Sequence, residues 1–296
     1  MPTLRDIRRR ITAVTNTAKI TQAMRMVSAS KMRRAQEAIW SARPYVLKLS
    51  EVLSNLVESV GDEYTNPLVQ KHKSIKSIAV IVIASDRGLC GSFNTNLFRM
   101  ANNFIINEIP KEYPGADVSV IAVGKKACSI LKRQNFNIIK EYPGIFQKLE
   151  FSTAKEIVGL VSEGFINNQF DKVIVFFTEF KNLIKQIPTS ITLLPIEQPK
   201  KDDKIVEKYK LDYIFEPSQK EILDELLPKH LDIQMWRTLL ESNAAEQASR
   251  MMAMENATNN ARDLVKYLEL VFNKARQAAI TKEMLEIVSG AEALKK

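Results

Sequence analysis

The residues most capable of chemistry lie together in Ser85-Asp86-Arg87-Gly88-Leu89-Cys90-Gly91-Ser92. The stretch follows an apolar run at residues 77–84 and precedes helical spacing from Asn96, so it reads as a turn between a strand and a helix. Turns of that kind seat nucleotide phosphates against a helix N-terminus. Here Gly88 and Gly91 do not give the G-x-G-x-x-G spacing, and no Gly-Lys-Ser/Thr follows. The alternative is a tight turn in which Asp86 and Arg87 tie the loop locally. Cys90 is a possible nucleophile, but His72 and His230 are the only histidines, and neither shares a motif with it. With Cys128 as the second cysteine there is no metal-ligand spacing either. The carboxylates are scattered over helical faces. The sequence therefore predicts no catalytic residues, no cofactor and no metal.

Composition narrows the class further. The chain has 296 residues, 45% apolar and 26% charged, as in a soluble protein of one or two domains. No apolar run approaches the length of a membrane span, and two cysteines make no disulfide framework. Charge is concentrated at the start. Residues 1–43 hold ten Lys/Arg against Asp6 and Glu37, a net of +8 out of +9 for the whole chain. An arginine-rich, acid-poor beginning also describes a mitochondrial transit peptide, but the helical pattern continues past Arg34 without a break.

The elements that must carry these residues are unusually long helices. Neither proline nor glycine occurs in residues 229–289 or 3–43. At 1.5 Å per residue these runs could form rods of roughly 90 Å and 60 Å. Leu4, Ile7, Ile11, Val14 and Ala18 alternate steps of three and four, which is a coiled-coil seam, and the stripe then shifts phase through Ile20, Met24 and Val27. In the last helix Met251, Met254, Thr258, Ala261, Val265, Leu268, Phe272, Ala275 and Ala279 hold the seam. A slip by one then leads to Ile280, Met284, Ile287, Ala291 and Leu294.

The middle alternates strand and helix. Strands are expected at 77–84, 118–123, 172–178 and 191–196, with a short one at 213–215. Helices are expected at 96–109, 125–134, 153–168 and 218–227, and residues 197–210 read as an exposed loop. Pro228 can begin the long final helix. The expected fold is α/β: a long antiparallel coiled coil of N- and C-terminal helices with an inserted Rossmann-like α/β domain. Its parts are an N-terminal coiled-coil helix at 1–60, an insert at 70–215 and a C-terminal coiled-coil helix at 216–296.

Six of the ten basic side chains (Arg5, Arg8, Arg9, Lys19, Arg33, Arg34) fall within an arc of about 120° on the first helix. Such a stripe could meet nucleic acid, but Trp40 is the only aromatic among residues 1–43, so base stacking is poorly served. An anionic membrane would need the apolar face that the seam already uses. An acidic protein surface fits better. A coiled-coil nucleic-acid binder and a nucleotide-dependent enzyme built on the insert stay as rivals, separable by salt-dependent duplex binding and by dinucleotide binding.

Three segments point to one family. Residues 7–36 (IRRRITAVTNTAKITQAMRMVSASKMRRAQ), residues 85–96 (SDRGLCGSFNTN) and residues 248–294, with ASRMMAMENAT, LVFNKARQAAIT and ITKEMLEIVSGAEAL, resemble the gamma subunit of the F-type rotary ATP synthase, its central rotor stalk. Residues 212–217 (DYIFEP) also fit. The resemblance implies a non-catalytic shaft, one per ring of three alpha and three beta subunits. It implies further contacts with the epsilon subunit and the c-ring of the membrane sector, and neither nucleic-acid binding nor membrane insertion. Its place would be peripheral, on the cytoplasmic face of the bacterial inner membrane. Family positions carried to this chain put Met24, Arg25, Arg276, Gln277 and Thr281 against the beta subunits. They put Ile287, Ala291 and Leu294 in an apolar sleeve of the ring, and Tyr213, Phe215 and Glu216 at the foot facing the membrane ring. The cysteine-bearing regulatory insert of chloroplast relatives is not seen in the sequence.

Overall fold

A computed structural model of the chain describes residues 3–60, 66–70, 72, 74–196, 216 and 218–293. Helix α1 (Leu4–Val60) begins where Thr3 and Asp6 cap each other: the Asp6 amide donates to Thr3 Oγ1 at 3.2 Å, and the Thr3 amide donates to Asp6 Oδ2 at 3.1 Å. Helix α6 (Gln219–Ala293) opens on an equivalent box, with the Glu221 amide donating to Ser218 Oγ and that hydroxyl donating to Glu221 Oε1. α6 passes straight through Pro228, which was expected to start a helix. Proline inside a helix withholds one hydrogen bond and crowds the carbonyl four residues back, so packing must offset that cost. Leu223, Leu227 and Leu231, all nearly or fully buried, keep the face on either side of it committed to packing. The expected helix at 218–227 and the long final helix are thus one element.

The chain divides into two units, Met1–Ala29 with Arg250–Lys296, and Ser30–Ser249. In the first, α1 and α6 pair antiparallel. Thr21 faces Thr258 and, one turn on, Arg25 faces Glu255, so rising numbers on one helix meet falling numbers on the other, and Arg262 reaches Gln22 beside them. The seam on α6 is the one the sequence predicts: Met254, Thr258, Ala261 and Leu268 are buried. On α1 the phase shift does not occur. Ile7, Ala18, Thr21 and Ser28 are buried with Ile11 and Val14 half-buried between them, while Ile20 and Val27 are 60% and 57% exposed. The alternation of three and four simply continues through two hydroxyl residues. At Thr21 the polar atom has partners inside the pair: Thr21 and Thr258 oxygens lie 2.7 Å apart, Thr21 also donates to the Ala18 carbonyl, and Thr258 to the Met254 carbonyl.

In the second unit a five-stranded sheet has the order β3-β2-β1-β4-β5. β1 (Ser77–Ile83), β2 (Asp117–Val123), β3 (Ile138–Tyr142) and β4 (Lys172–Phe180) are parallel, and β5 (Gln186–Leu194) runs antiparallel on the edge. After Ser77 the central strand β1 is apolar, because both its faces are covered. Ala79, Ile81 and Ile83 point into a core completed by α5 (Phe151–Ile166) and by Leu231, Met235 and Leu239 of α6. Ile78, Val80 and Val82 point into another, with Leu97, Phe98 and Ala101 of α2 (Phe93–Asn103) and Ala127 and Leu131 of α4 (Lys125–Arg133). β3 was not expected; it is a five-residue edge strand containing Lys140 and Glu141, without an apolar run to betray it. β5 was placed at 191–196 but starts at Gln186, since its first half pairs with residues 176–180 through a hairpin bonded by Asn182, and that half is only partly buried.

The helix expected at 96–109 starts earlier, at Phe93, and its end widens into a π turn (Phe104–Glu108) before the short α3 (Ile109–Glu112). Pro110 in α3 has no N–H for the carbonyl four residues back, and the widened turn accommodates that loss. Elsewhere in this unit α1 and α6 also pack on each other, through Leu49, Leu53 and Leu56 against Leu223, Leu227 and Ile233.

Candidate functional site

The residues that could do bond chemistry are used structurally. Sheet order puts the reversal of strand connection between β1 and β4, where folds of this kind bind nucleotides beyond the strand ends. The strand ends are occupied by the chain itself. Asp86 Oδ1 accepts from the Lys125 and Gly144 amides, both at 2.9 Å, and Oδ2 accepts from the Phe146 amide at 3.0 Å. A carboxylate thus sits at the N-terminus of α4, the helix after β2, on the β2–β3 side of β1 and not at the β1–β4 reversal itself. Asp86 was expected to tie its own loop; it ties the turns after β2 and β3 instead, a link that depends on a strand order the sequence does not display. α6 lies across the same ends. Ser242 Oγ donates to the Ile83 carbonyl at 3.4 Å, and Ala245 is fully buried against Cys90 and Phe93.

Cys90 is 2% exposed, and its sulfur receives the Asn94 amide group at 3.3 Å. Its carbonyl accepts from Ser249 Oγ at 2.7 Å. His72 is held by Asp171 at 2.6 Å, and His230, whose pKa burial lowers, neighbours Gln234. Burial raises the Cys128 thiol pKa, with the Glu141 carboxylate adding to the effect. Neither thiol has the electropositive, accessible setting of a nucleophile. Among the described residues no cluster of three His, Cys, Asp or Glu could hold a metal, and no helix is long and apolar enough to cross a membrane.

Met24 and Arg25, expected at beta-subunit contacts, lie on α1, and Arg276, Gln277 and Thr281, expected there too, lie on α6. Met24 and Arg25 are half-buried, and Arg25 Nη1 meets Glu255 Oε1 at 3.3 Å with both side chains 40% exposed. Exposed pairs of this kind contribute about 0–1 kcal/mol. Arg276, Gln277 and Thr281 are exposed on α6. Arg25 and Arg276 are not brought together, because Arg25 faces Glu255, which lies about 31 Å along the helix from Arg276. The antiparallel register sets the start of α1 opposite residues 275–279, and all of residues 280–291 are exposed. These include Ile280, Met284, Leu285, Ile287, Val288 and Ala291, an apolar stretch with Ile287 71% exposed. Leu294, Tyr213 and Phe215 lie outside the described residues; Glu216 is exposed. The six cations of the basic stripe are exposed too. What the sequence reading missed is the opposite group, the large apolar side chains left outward: Ile20, Met26, Val27, Tyr267 and Leu270, each more than half exposed.

Among the described residues no cluster assembles a metal site, and the long paired helices keep large apolar and basic groups outward. The family model described as ATP synthase matches residues 3–294. The ATP synthase gamma chain of Chlorobium limicola is 48% identical over 297 residues, covering all of both chains. That of Chloroherpeton thalassium is 47% identical, covering 99% of each. Among solved structures, the central stalk of the Tetrahymena thermophila mitochondrial ATP synthase superposes with a TM-score of 0.60 at 28% identity, over 80% of this chain and 99% of that one. A chain of the Euglena gracilis enzyme does so at 0.66 and 19% identity, over 98% and 94%, a likeness of fold. Full-length identity near one half, together with the family model, makes this chain a member of the ATP synthase gamma-chain family.

Proposed function

We infer that the chain is the central stalk of a rotary ATP synthase, and that it performs no bond chemistry itself. The observation that carries this is the antiparallel α1–α6 pair, buried along its seam and left apolar and basic outside. A shaft must resist bending, which a breaker-free two-helix seam provides. Its side contacts must be weak enough to exchange at each turn, which exposed, salt-screened charges provide. Turning such an asymmetric surface inside a ring sets the ring's sites into different conformations in sequence. Rotation and nucleotide affinity are then linked in both directions.

In this reading one copy stands in a ring of three alpha and three beta subunits. Met24, Arg25, Arg276, Gln277 and Thr281 face beta subunits at two levels of the shaft. The tip with Ile287, Ala291 and Leu294 turns in an apolar sleeve; the exposure of residues 280–291 supports this. Tyr213, Phe215 and Glu216 belong to the foot, toward the c-ring and the epsilon subunit, with the coiled-coil helices at 1–60 and 216–296 flanking an insert at 70–215. The assembly is peripheral on the cytoplasmic face of a bacterial inner membrane. Co-expression with alpha and beta subunits tests the proposal: it expects a hexameric ring with ATPase activity containing one copy of this chain. Rings that form and hydrolyse ATP while excluding it would refute the reading.

A further inference from the structure

We propose that the loop at residues 85–92 is a rigid joint through which the sheet holds α6, with Asp86 as the positioning residue that stiffens it; the inference rests on the central-stalk reading. The loop is fastened at both ends. On the sheet side, Asp86 is 9% exposed and takes three backbone N–H groups from two separate turns, at 2.9, 2.9 and 3.0 Å. Hydrogen bonds to a charged acceptor are the short, strong kind. Beside it Gly124, at φ +95°, brings the end of β2 so close to β1 that a Cβ would stand 2.1 Å from the Ala84 carbonyl oxygen. Within the loop, Ser85 Oγ donates to the Arg87 carbonyl, and Asn94 Nδ2 reaches both Ser85 Oγ and Cys90 Sγ.

On the α6 side, Ser242, Ala245 and Ser249 lie on one helical face. They meet the Ile83 carbonyl, the Cys90 and Phe93 side chains, and the Cys90 carbonyl. Leu89 is held at φ +62°, a conformation a leucine keeps only when its surroundings over-determine it. A loop that merely connected β1 to α2 would need none of these ties. A joint that passes turning force between the sheet and a helix needs all of them, because any slack is taken up before α6 moves. No reacting group is involved; Asp86 acts through the turns it holds.

The test uses the assembled synthase in membrane vesicles, with ATP hydrolysis and ATP-driven pumping measured together and pumping read as membrane potential. Asp86→Ala is expected to keep hydrolysis while pumping per ATP falls several-fold. Formate, a carboxylate small enough for the vacated space, restores it, and chloride at equal ionic strength does not. Ser249→Ala loosens the other end and lowers pumping per ATP without a response to formate. Wild-type pumping per ATP in Asp86→Ala, or a loss that formate leaves untouched, overturns the joint. Should Asp86→Ala fail to assemble, unchanged pumping per ATP in Ser249→Ala overturns it equally. A wild-type chain that neither assembles nor pumps would instead overturn the central-stalk reading.

Discussion

The phase of the α1 seam can be tested with pairs of like residues that differ only in which way they face. Ile7 is 5% exposed and Ile20 60%; Leu268 is 6% exposed and Leu270 63%. Truncating a buried leucine or isoleucine to alanine typically costs about 2–5 kcal/mol, transfer and cavity combined. Ile7 sits in the second turn of its helix, where ends fray, so about 2 kcal/mol is expected there and about 3 kcal/mol at Leu268. Ile20→Ala and Leu270→Ala remove side chains that are mostly in water already, and each should stay within about 0.5 kcal/mol. Native-state hydrogen exchange of the full chain reads these as local opening. At 1.4 kcal/mol per factor of ten, protection of seam amides should fall about 100-fold for Leu268→Ala and less than about threefold for Leu270→Ala. Had the seam shifted onto Ile20, Met24 and Val27, Ile20→Ala would cost as much as Ile7→Ala. That outcome, or equal losses at Leu268 and Leu270, would refute the observed seam.

Thr21→Val or Thr258→Val alone should cost about 0.5–1 kcal/mol by removing one of the two hydrogen bonds of the buried partner hydroxyl, which keeps its bond to the Ala18 or Met254 carbonyl; the double variant should cost less than the sum of the two, as a hydrogen-exchange double-mutant cycle would record. Val265→Pro deletes a helix hydrogen bond and adds a clash, roughly 3 kcal/mol or more, and should abolish ATP-driven pumping in the assembled complex; normal pumping would count against a shaft. Neutralising Arg8, Arg33 or Arg34 singly should leave coupled turnover largely intact, since each exposed ion pair contributes about 0.2–1 kcal/mol, and a severe loss from one of them would contradict sliding contacts. Burial opposes ionisation of Asp171, but the Lys76 and Ser77 amides and His72 outweigh it and lower its pKa below the ordinary 3.8. A lowered folded pKa stabilises above the unfolded value and is lost as pH falls through the folded one. The melting-temperature gap between wild type and Asp171→Asn should therefore be widest near neutrality and narrow below about pH 4, a trend that melts from pH 7 to pH 3 would reveal.

The amino-acid sequence by itself determined the helical ends, the α6 seam and three of the strands. The reason is local. Breaker-free runs, three-and-four spacing and continuous β-branched stretches such as residues 77–83 each constrain one element without reference to another. The α6 stripe was legible because its seam residues are mostly apolar. The α1 stripe was misread past Ala18 because Thr21 and Ser28 are polar by composition, and only a facing Thr258 makes Thr21 a seam residue. The same held for β3 and for the first half of β5, edge segments whose pairing is decided by a neighbour rather than by their own hydrophobicity. The family motifs carried an expectation of a beta-subunit contact to Arg25, but not its ion pair with Glu255 within the two-helix pair. Tertiary structure alone decided the role of Asp86. Its three donors come from residues 39 to 60 positions away, brought to one point by the order of parallel strands, and no spacing along the chain encodes that meeting.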